Sequence, residues 1–268
     1  MKKQNHFHHT LEELRRQIDD PAYFALAINQ LLETSLENMK AMASVSMCLP
    51  EEVSVIKKYK GHMTISLPQS SLPETPIGPI FMNRSSHREY KDEPLTIEEV
   101  SAVLRYGYGI RGYMPAYSLA SFPFRTAPSA GGLQGIEVYC LINNVDGVSP
   151  GLYHYNPQED CLDMVFTGIC VGKLEEICRA QHFIPNAGIV IVLTIVLTRG
   201  TWKYCAPYYR FALVDCGCVA ENLHLAASAL GIGSCMVAGF EARTLKRLLQ
   251  IEDDLEIPAL MISFGKKK

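Results

Sequence analysis

The stretch Tyr209–Phe240, "YRFALVDCGCVAENLHLAASALGIGSCMVAGF", decides the fold. From Phe211 to Leu230 it reads as a helix of about five turns. Asp215, Glu221, Asn222 and His224 are its only strongly polar members. A helix that is apolar nearly all round has to be covered all round. In a chain of 268 residues that means the middle of the core or a subunit interface, and the interface is the favoured reading. Gly231 and Gly233 close the helix and open a strand, Cys235 to Val237, which stops at Gly239.

Outward from this segment the chain alternates helix and strand. Thr96 caps "IEEVSAVLRYGYG", with Glu98 and Glu99 in the first turn and Gly107 and Gly109 at its end. Strands are expected at Ile136–Ile142, Gly151–Tyr155 and Ile189–Leu197, and a short helix at Lys173–Ala180. A last helix, Leu245–Leu249, leads to the strand "PALMISFG" and a basic tail. The N-terminal part differs. Thr10 caps "LEELRRQI", Asp20-Pro21 breaks the pattern, and "YFALAINQLLETSLENMKAM" follows as a second helix. Glu51 to Pro79 reads as an irregular connector, interrupted by Pro68, Pro73, Pro76 and Pro79. The expected organisation is an N-terminal helical extension with a Pro-rich connector over residues 1–79, and an α+β domain over 80–268.

Composition narrows the function. A net charge of -3 and a pI near 6.2 leave no electrostatic footprint for nucleic acid. "MKKQNHFHHTLEELRRQ" lacks the apolar core of a signal peptide. The longest apolar run, "IVIVLTIVL", has about half the length that spans a bilayer, so no membrane partner is expected. Nine scattered cysteines without a paired CxxC array read as reduced thiols of a cytosolic protein, and no metal site is expected. His6, His8 and His9 read as a disordered N-terminus rather than a metal tail.

Three short stretches carry chemistry. In "RTAPSAGGLQGIEVY", Arg125–Tyr139, the small residues Ala127, Ser129, Ala130, Gly131 and Gly132 run into a strand, as if something lay close to the backbone. In "NRSSHREY", Asn83–Tyr90, Arg84 and Arg88 lie four apart around Ser85 and Ser86. If this segment opens a helix, its guanidinium and hydroxyl groups face one anion, and a phosphate suits them. In "RGTWKYCAPYYR", Arg199–Arg210, Lys203 and Tyr204 are adjacent.

Taken in order, these features resemble the nitroreductase-like flavoproteins over roughly residues 80 to 265, and "LAASALGIGSCMVAGF" is the most specific part. The resemblance implies an α+β fold with a central, mostly antiparallel sheet flanked by helices, and a homodimer holding flavin mononucleotide (FMN) between subunits. It implies that Arg84, Ser85, Ser86 and Arg88 hold the phosphate and ribityl chain. Pro128, Ser129, Ala130, Gly131 and Gly132 would lie along the flavin ring, reaching into the partner's site. The backbone at Ala238 and Gly239 would bond the ring's reactive edge.

Lys203-Tyr204, with "RTAPSAGGL" and Glu137, is similar to the SagB-type dehydrogenases, which oxidise thiazolines and oxazolines to thiazoles and oxazoles. The resemblance makes Lys203 and Tyr204 the catalytic pair. Removing hydride from one ring carbon leaves a proton for a base to take. A free tyrosine, with a pKa near ~10, is a poor base at neutral pH, and a neighbouring ammonium favours its phenolate. Molecular oxygen is the electron acceptor that the family implies. A peptide or carrier-bound azoline is the implied substrate, and a cyclodehydratase or assembly-line protein the implied partner.

The chain departs from that branch in three places. Gln134-Gly135 stands for the usual Tyr-Pro, Gly217–Asn222 retains only the glycine and asparagine of Gly-His-x-x-Gln-Asn, and Ser85 replaces a frequent arginine. Two alternatives remain open: an NAD(P)H-fed reductase of nitro or enone compounds, and a flavin-bound scaffold subunit without chemistry. Glu137 either orients the loop or faces water. His154 reads as structural, and Cys205 and Cys235 as buried thiols.

Overall fold

The computed structural model describes residues 48–59, 62–168, 172–178 and 181–268, with residues 40 and 42. The two N-terminal helical patterns and the last two residues of the helix expected at Lys173–Ala180 fall outside the described residues, 40 and 42 excepted. The strands are β1 (Thr64–Ser66), β2 (Ile110–Ala116), β3 (Leu119–Arg125), β4 (Ile136–Ile142), β5 (Gly151–Asn156), β6 (Cys161–Thr167), β7 (Ile189–Val196), β8 (Ile232–Val237) and β9 (Glu256–Lys266). The helices are α1 (Ile77–Asn83), α2 (Ile97–Tyr108), α3 (Gly172–Cys178), α4 (Thr198–Tyr204), α5 (Tyr208–Ala229) and α6 (Ala242–Leu248).

Seven strands make one sheet in the order β1-β6-β5-β4-β7-β9-β8, and each neighbouring pair is antiparallel. The middle strands β4 and β7 are apolar at almost every position because both faces are covered. Ile136, Val138 and Cys140 face one core with Val219, Leu223 and Ala227 of α5 and Val103 and Leu104 of α2. Tyr139, Leu141 and Val192 face a second core with Leu174 and Ile177 of α3 and Leu245 of α6. The result is the expected α+β architecture, a mostly antiparallel sheet flanked by helices.

Helix α2 starts where the capping residues put it. Thr96 accepts from the Glu99 N–H, and Glu99 accepts from the Thr96 N–H. A cap of this kind contributes about 1 kcal/mol. Helices α2 and α5 cross closely at Gly107, where a Cβ would run into the Leu223 side chain. Helix α5 ends at Ala229, and Gly231, at φ 73, makes the left-handed exit. Its coverage is one-sided within a single chain. Ala212, Cys216, Val219, Ala220 and Leu223 are buried, while Tyr209, Leu213 and Val214 are 40, 41 and 62% exposed.

Two regions depart from the sequence reading. The connector is not irregular throughout. Thr64–Ser66 pairs with β6, and α1 begins directly after Pro76 with Pro79 in its first turn. Proline's fixed φ suits a first turn, where its missing N–H is not needed. The β2–β3 hairpin was also hidden, because Pro115 and Pro123 lie inside its strands. Its apex, Tyr117 and Ser118, has φ 53 and 62, the mirror-image turn that a two-residue hairpin demands. Among the described residues no helix is long and apolar enough to cross a membrane.

Candidate active site

The loop between β3 and β4 is fixed from three sides. The Ala130 N–H donates to both carboxylate oxygens of Asp215 on α5, at 2.9 and 3.1 Å. The Gln134 N–H donates to Ser129 Oγ at 3.0 Å, and the Tyr117 hydroxyl donates to the Gly131 carbonyl. Burial pushes the Asp215 carboxyl up, against the Ala130 and Ser129 hydrogen bonds that favour its charged form. Gly131, Gly132 and Gln134 all have left-handed backbone, at φ 60, 70 and 56.

The chain's own side chains explain why the loop is small. A Cβ on Gly131 would stand 2.5 Å from Tyr204 Oη, 2.9 Å from Tyr117 Oη and 3.2 Å from Lys203 Nζ. At Gly132 it would meet Phe124 at 3.1 Å, and at Gly135 it would collide with the Tyr208 hydroxyl. The loop and the Lys-Tyr motif, about seventy residues apart in sequence, are therefore in direct contact.

Lys203 and Tyr204 are the last residues of α4, which ends where Cys205 turns to φ 53. Lys203 Nζ donates to Tyr117 Oη at 2.8 Å and stands 4.7 and 5.2 Å from the ring centres of Tyr117 and Tyr204. The Tyr204 ring stacks on Tyr208 at 6.3 Å and meets Phe211 edge-on. Partial burial lowers the Lys203 pKa, but the hydrogen bonds and charge of Tyr117 and Tyr204 outweigh it, and the net direction is upward. Lys203 is thus a cation throughout the neutral range.

Helix α4 is bolted down by Arg199. Its Nε donates to the Ser54 carbonyl and its Nη1 to the Gln134 carbonyl, both at 2.7 Å, and its Nη2 to the Glu137 carboxylate. His154 Nε2 lies 2.7 Å from the other Glu137 oxygen. Burial alone would raise the Glu137 pKa, but Arg199 and His154 hold it far below the usual carboxylate range. Glu137 therefore does not face water. Through Arg199 it ties α4 to the end of the glycine loop.

The Arg84–Arg88 segment does not open a helix. Arg84 follows the C-terminus of α1 with extended backbone, φ -62 and ψ 125, and the chain then runs beside β8. The His87 N–H donates to the Ser234 carbonyl at 2.8 Å, and Ser86 bridges Ser234. In extended chain alternate residues share a side, so Arg84, Ser86 and Arg88 group together and Ser85 lies opposite. Ser85, Ser86 and Arg88 are exposed and Arg84 is half-buried. Arg84 Nε is 3.7 Å from Glu221 Oε1, and the Arg88 guanidinium is 6.0 Å from the Phe183 ring.

Two accessible guanidinium groups with an aligned hydroxyl are a donor set that fits the phosphate of FMN. Gly239 has open space where a Cβ would stand and lines a cleft of about 420 Å³ with Cys178, Gln181 and Phe240. Pro128, Ser129 and Gly132 line a different cleft of about 390 Å³ with Arg111 and Thr126. The two clefts share no residue.

Sequence reasoning missed Tyr117, Asp215, Arg199 and His224 as parts of the site. Asp215 and His224 carried a signal, as polar residues on an apolar helix. His224 is buried, with Nδ1 2.8 Å from Ser234 Oγ. Burial and the charge of Arg84 lower its pKa to about 4.

Residues 81–266 match the model of the nitroreductase family. A nitroreductase-like protein of Methanocaldococcus jannaschii is 31% identical over 208 residues, 76% of this chain and 97% of its own. The trifolitoxin-processing protein TfxB of Rhizobium leguminosarum bv. trifolii is 25% identical over 62% of this chain. The microcin B17-processing protein McbC of Escherichia coli is 26% identical over 53% of it. The chain spans about half the length of these last two, 48 and 54%. Among solved structures, a nitroreductase-like protein of Anabaena variabilis superposes with a TM-score of 0.69 at 24% identity, covering 82% of this chain and 45% of that one. The E. coli microcin synthetase McbBCD complex, with truncated pro-MccB17 bound, gives 0.57 at 20% identity, covering 89 and 94%. With the family model matched from β2 to β9, over helices α2 to α6 and the loop, this chain belongs to the nitroreductase family.

Proposed function

We propose that this protein is an FMN-dependent dehydrogenase that oxidises thiazoline or oxazoline rings to thiazoles or oxazoles in a peptide or carrier-bound natural-product intermediate. The observation that carries this reading is the convergence at Gly131, where the Lys203 ammonium and the Tyr204 hydroxyl stand against the small-residue loop. An ammonium beside a phenol supplies the base that aromatisation needs. Kinship with the trifolitoxin- and microcin B17-processing proteins supports the substrate class.

FMN, when bound, would supply the two-electron acceptor, with molecular oxygen as the final oxidant. Arg84, Ser86 and Arg88, grouped on one side of the extended segment, would hold its phosphate and ribityl chain, with Ser85 turned away from that set, and the Ala238–Gly239 backbone would serve its ring. In a homodimer Pro128–Gly132 would serve the flavin of the second copy, and the exposed Tyr209, Leu213 and Val214 of α5 support such a partner. Tyr204 takes the proton from the second ring carbon. Lys203, held cationic, stabilises the phenolate. Hydride and proton together account for the two electrons and two hydrogens that separate azoline from azole. A cyclodehydratase or assembly-line partner would form the azoline, and the microcin synthetase complex offers a parallel.

The M. jannaschii relative, matched over almost its full length, favours a second reading, an NAD(P)H-fed reductase on the same fold. Anaerobic bleaching of the purified yellow protein separates the two. Bleaching by a thiazoline peptide and not by NADPH is the expected result, and the reverse outcome rejects the oxidase.

A further inference from the structure

Tyr117 touches both halves of the site and has no role in the scheme above. It is 8% exposed, edge-on to Trp202 at 5.8 Å and tilted against Phe122 at 5.3 Å. Its backbone is left-handed at the hairpin apex, where asparagine or glycine is the usual choice. Left-handed backbone at a non-glycine residue is strained and persists only where the surrounding structure over-determines it. Here its single hydroxyl does two things. Its proton goes to the Gly131 carbonyl, and its oxygen accepts Lys203 Nζ at 2.8 Å.

Resting on the reading of Lys203 and Tyr204 as the proton-handling pair, we propose that Tyr117 is a positioning residue that completes it. Lysine's four-carbon stem is flexible, and its compact ammonium is strongly hydrated. Lys203 is only partly buried, so without an acceptor on the far side it swings into water. Tyr117 supplies that acceptor and keeps the ammonium between two phenol rings. Because its own proton is committed to Gly131, Tyr117 is not free to exchange it with substrate. Tyr204 is left as the phenol that takes the ring proton. The same hydroxyl joins Lys203 to the loop, so the distance between ammonium and loop is set by one oxygen atom.

The test uses the full-length, FMN-loaded protein and two readouts. One is competitive acetylation of Lys203 across the alkaline range, with the other lysines as internal standards. The other is anaerobic flavin bleaching by a thiazoline peptide. In Tyr117→Phe the midpoint of the Lys203 acetylation profile is expected to fall by about one pH unit, a tenfold change in free amine. The bleaching rate is expected to drop by roughly 100-fold, within the range of general-base effects, with KM little changed. An acetylation midpoint the same in Tyr117→Phe and the parent overturns the proposal. If the parent is not bleached by the azoline but the midpoint still moves, the clamp stands and the oxidase reading falls. Should Tyr117→Phe not fold, 3-fluorotyrosine placed at position 117 keeps the ring and hydroxyl. Lys203→Met must then shift its fluorine resonance, and an unmoved resonance also overturns the proposal.

Discussion

At Gly131 a single missing methyl group lets a loop, a lysine and two tyrosines share one place. Gly131→Ala adds a carbon 2.5 Å from Tyr204 Oη and holds an L-residue at φ 60, a strain of about 1–2 kcal/mol. The expected outcome is a loss of azoline turnover per bound FMN of at least about tenfold, from displacement of Tyr204. Stopped-flow bleaching beside flavin absorbance checks it. His224 sets a pH dependence. Its pKa is near 4 in the fold and about 6.5 in the unfolded chain, so the unfolded state binds the extra proton between those values. Stability is then full above about pH 6.5 and declines as pH falls towards 4, by roughly 3 kcal/mol at most. His224→Asn should flatten the fall in Tm over that window. At this scale the sequence was informative where chemistry is local. The Lys-Tyr pair and the glycine run were legible, and the structure brings them together. Tyr117 was not, because its partners lie 14 and 86 residues away and no pattern in "AYSLAS" announces them.

Among the elements, α4 depends most on one ion pair. Arg199 is 3% exposed and grips Ser54, Gln134 and Glu137. Breaking a buried pair from one side leaves the other charge stranded, at a cost of about 3–5 kcal/mol. Arg199→Met should lower the unfolding free energy by that amount, and adding Glu137→Gln should recover part of it. Chemical denaturation of the single and double variants measures both. Helices α2 and α5 and strands β4, β5, β7 and β9 were readable because capping residues and long apolar runs mark them. Helix α4 and the β2–β3 hairpin were not. Helix α4 is seven residues long and shows too little period to read. The hairpin carries prolines within its strands and unusual residues at its turn, and contacts with Trp202, Lys203 and Gly131 hold it instead.

For the whole molecule, the one-sided cover of α5 has a direct reading. Tyr209, Leu213 and Val214 lie exposed on a helix whose other side packs into the core, a face suited to the second copy proposed above. Leu213→Glu with Val214→Glu should convert a dimer to a monomer and release FMN, seen by light scattering and flavin fluorescence. A dimer that survives with flavin bound places the interface elsewhere. The outer strands of the sheet matter differently. At one end Arg84–Lys91 shields β8 and the end of β9, through the Ser86–Ser234 and Tyr90–Lys267 bridges and the Lys91 N–H to the Lys266 carbonyl. At the other, three residues, Thr64–Ser66, cap β6. A shortened chain starting at residue 80 would keep every catalytic and cofactor group named above yet bare the main-chain donors and acceptors of Cys161, Leu162 and Asp163. Such naked borders recruit strands from neighbouring copies. That slight ribbon ahead of the family-matched region should therefore limit clumping, and light scattering of the shortened chain beside the parent checks it.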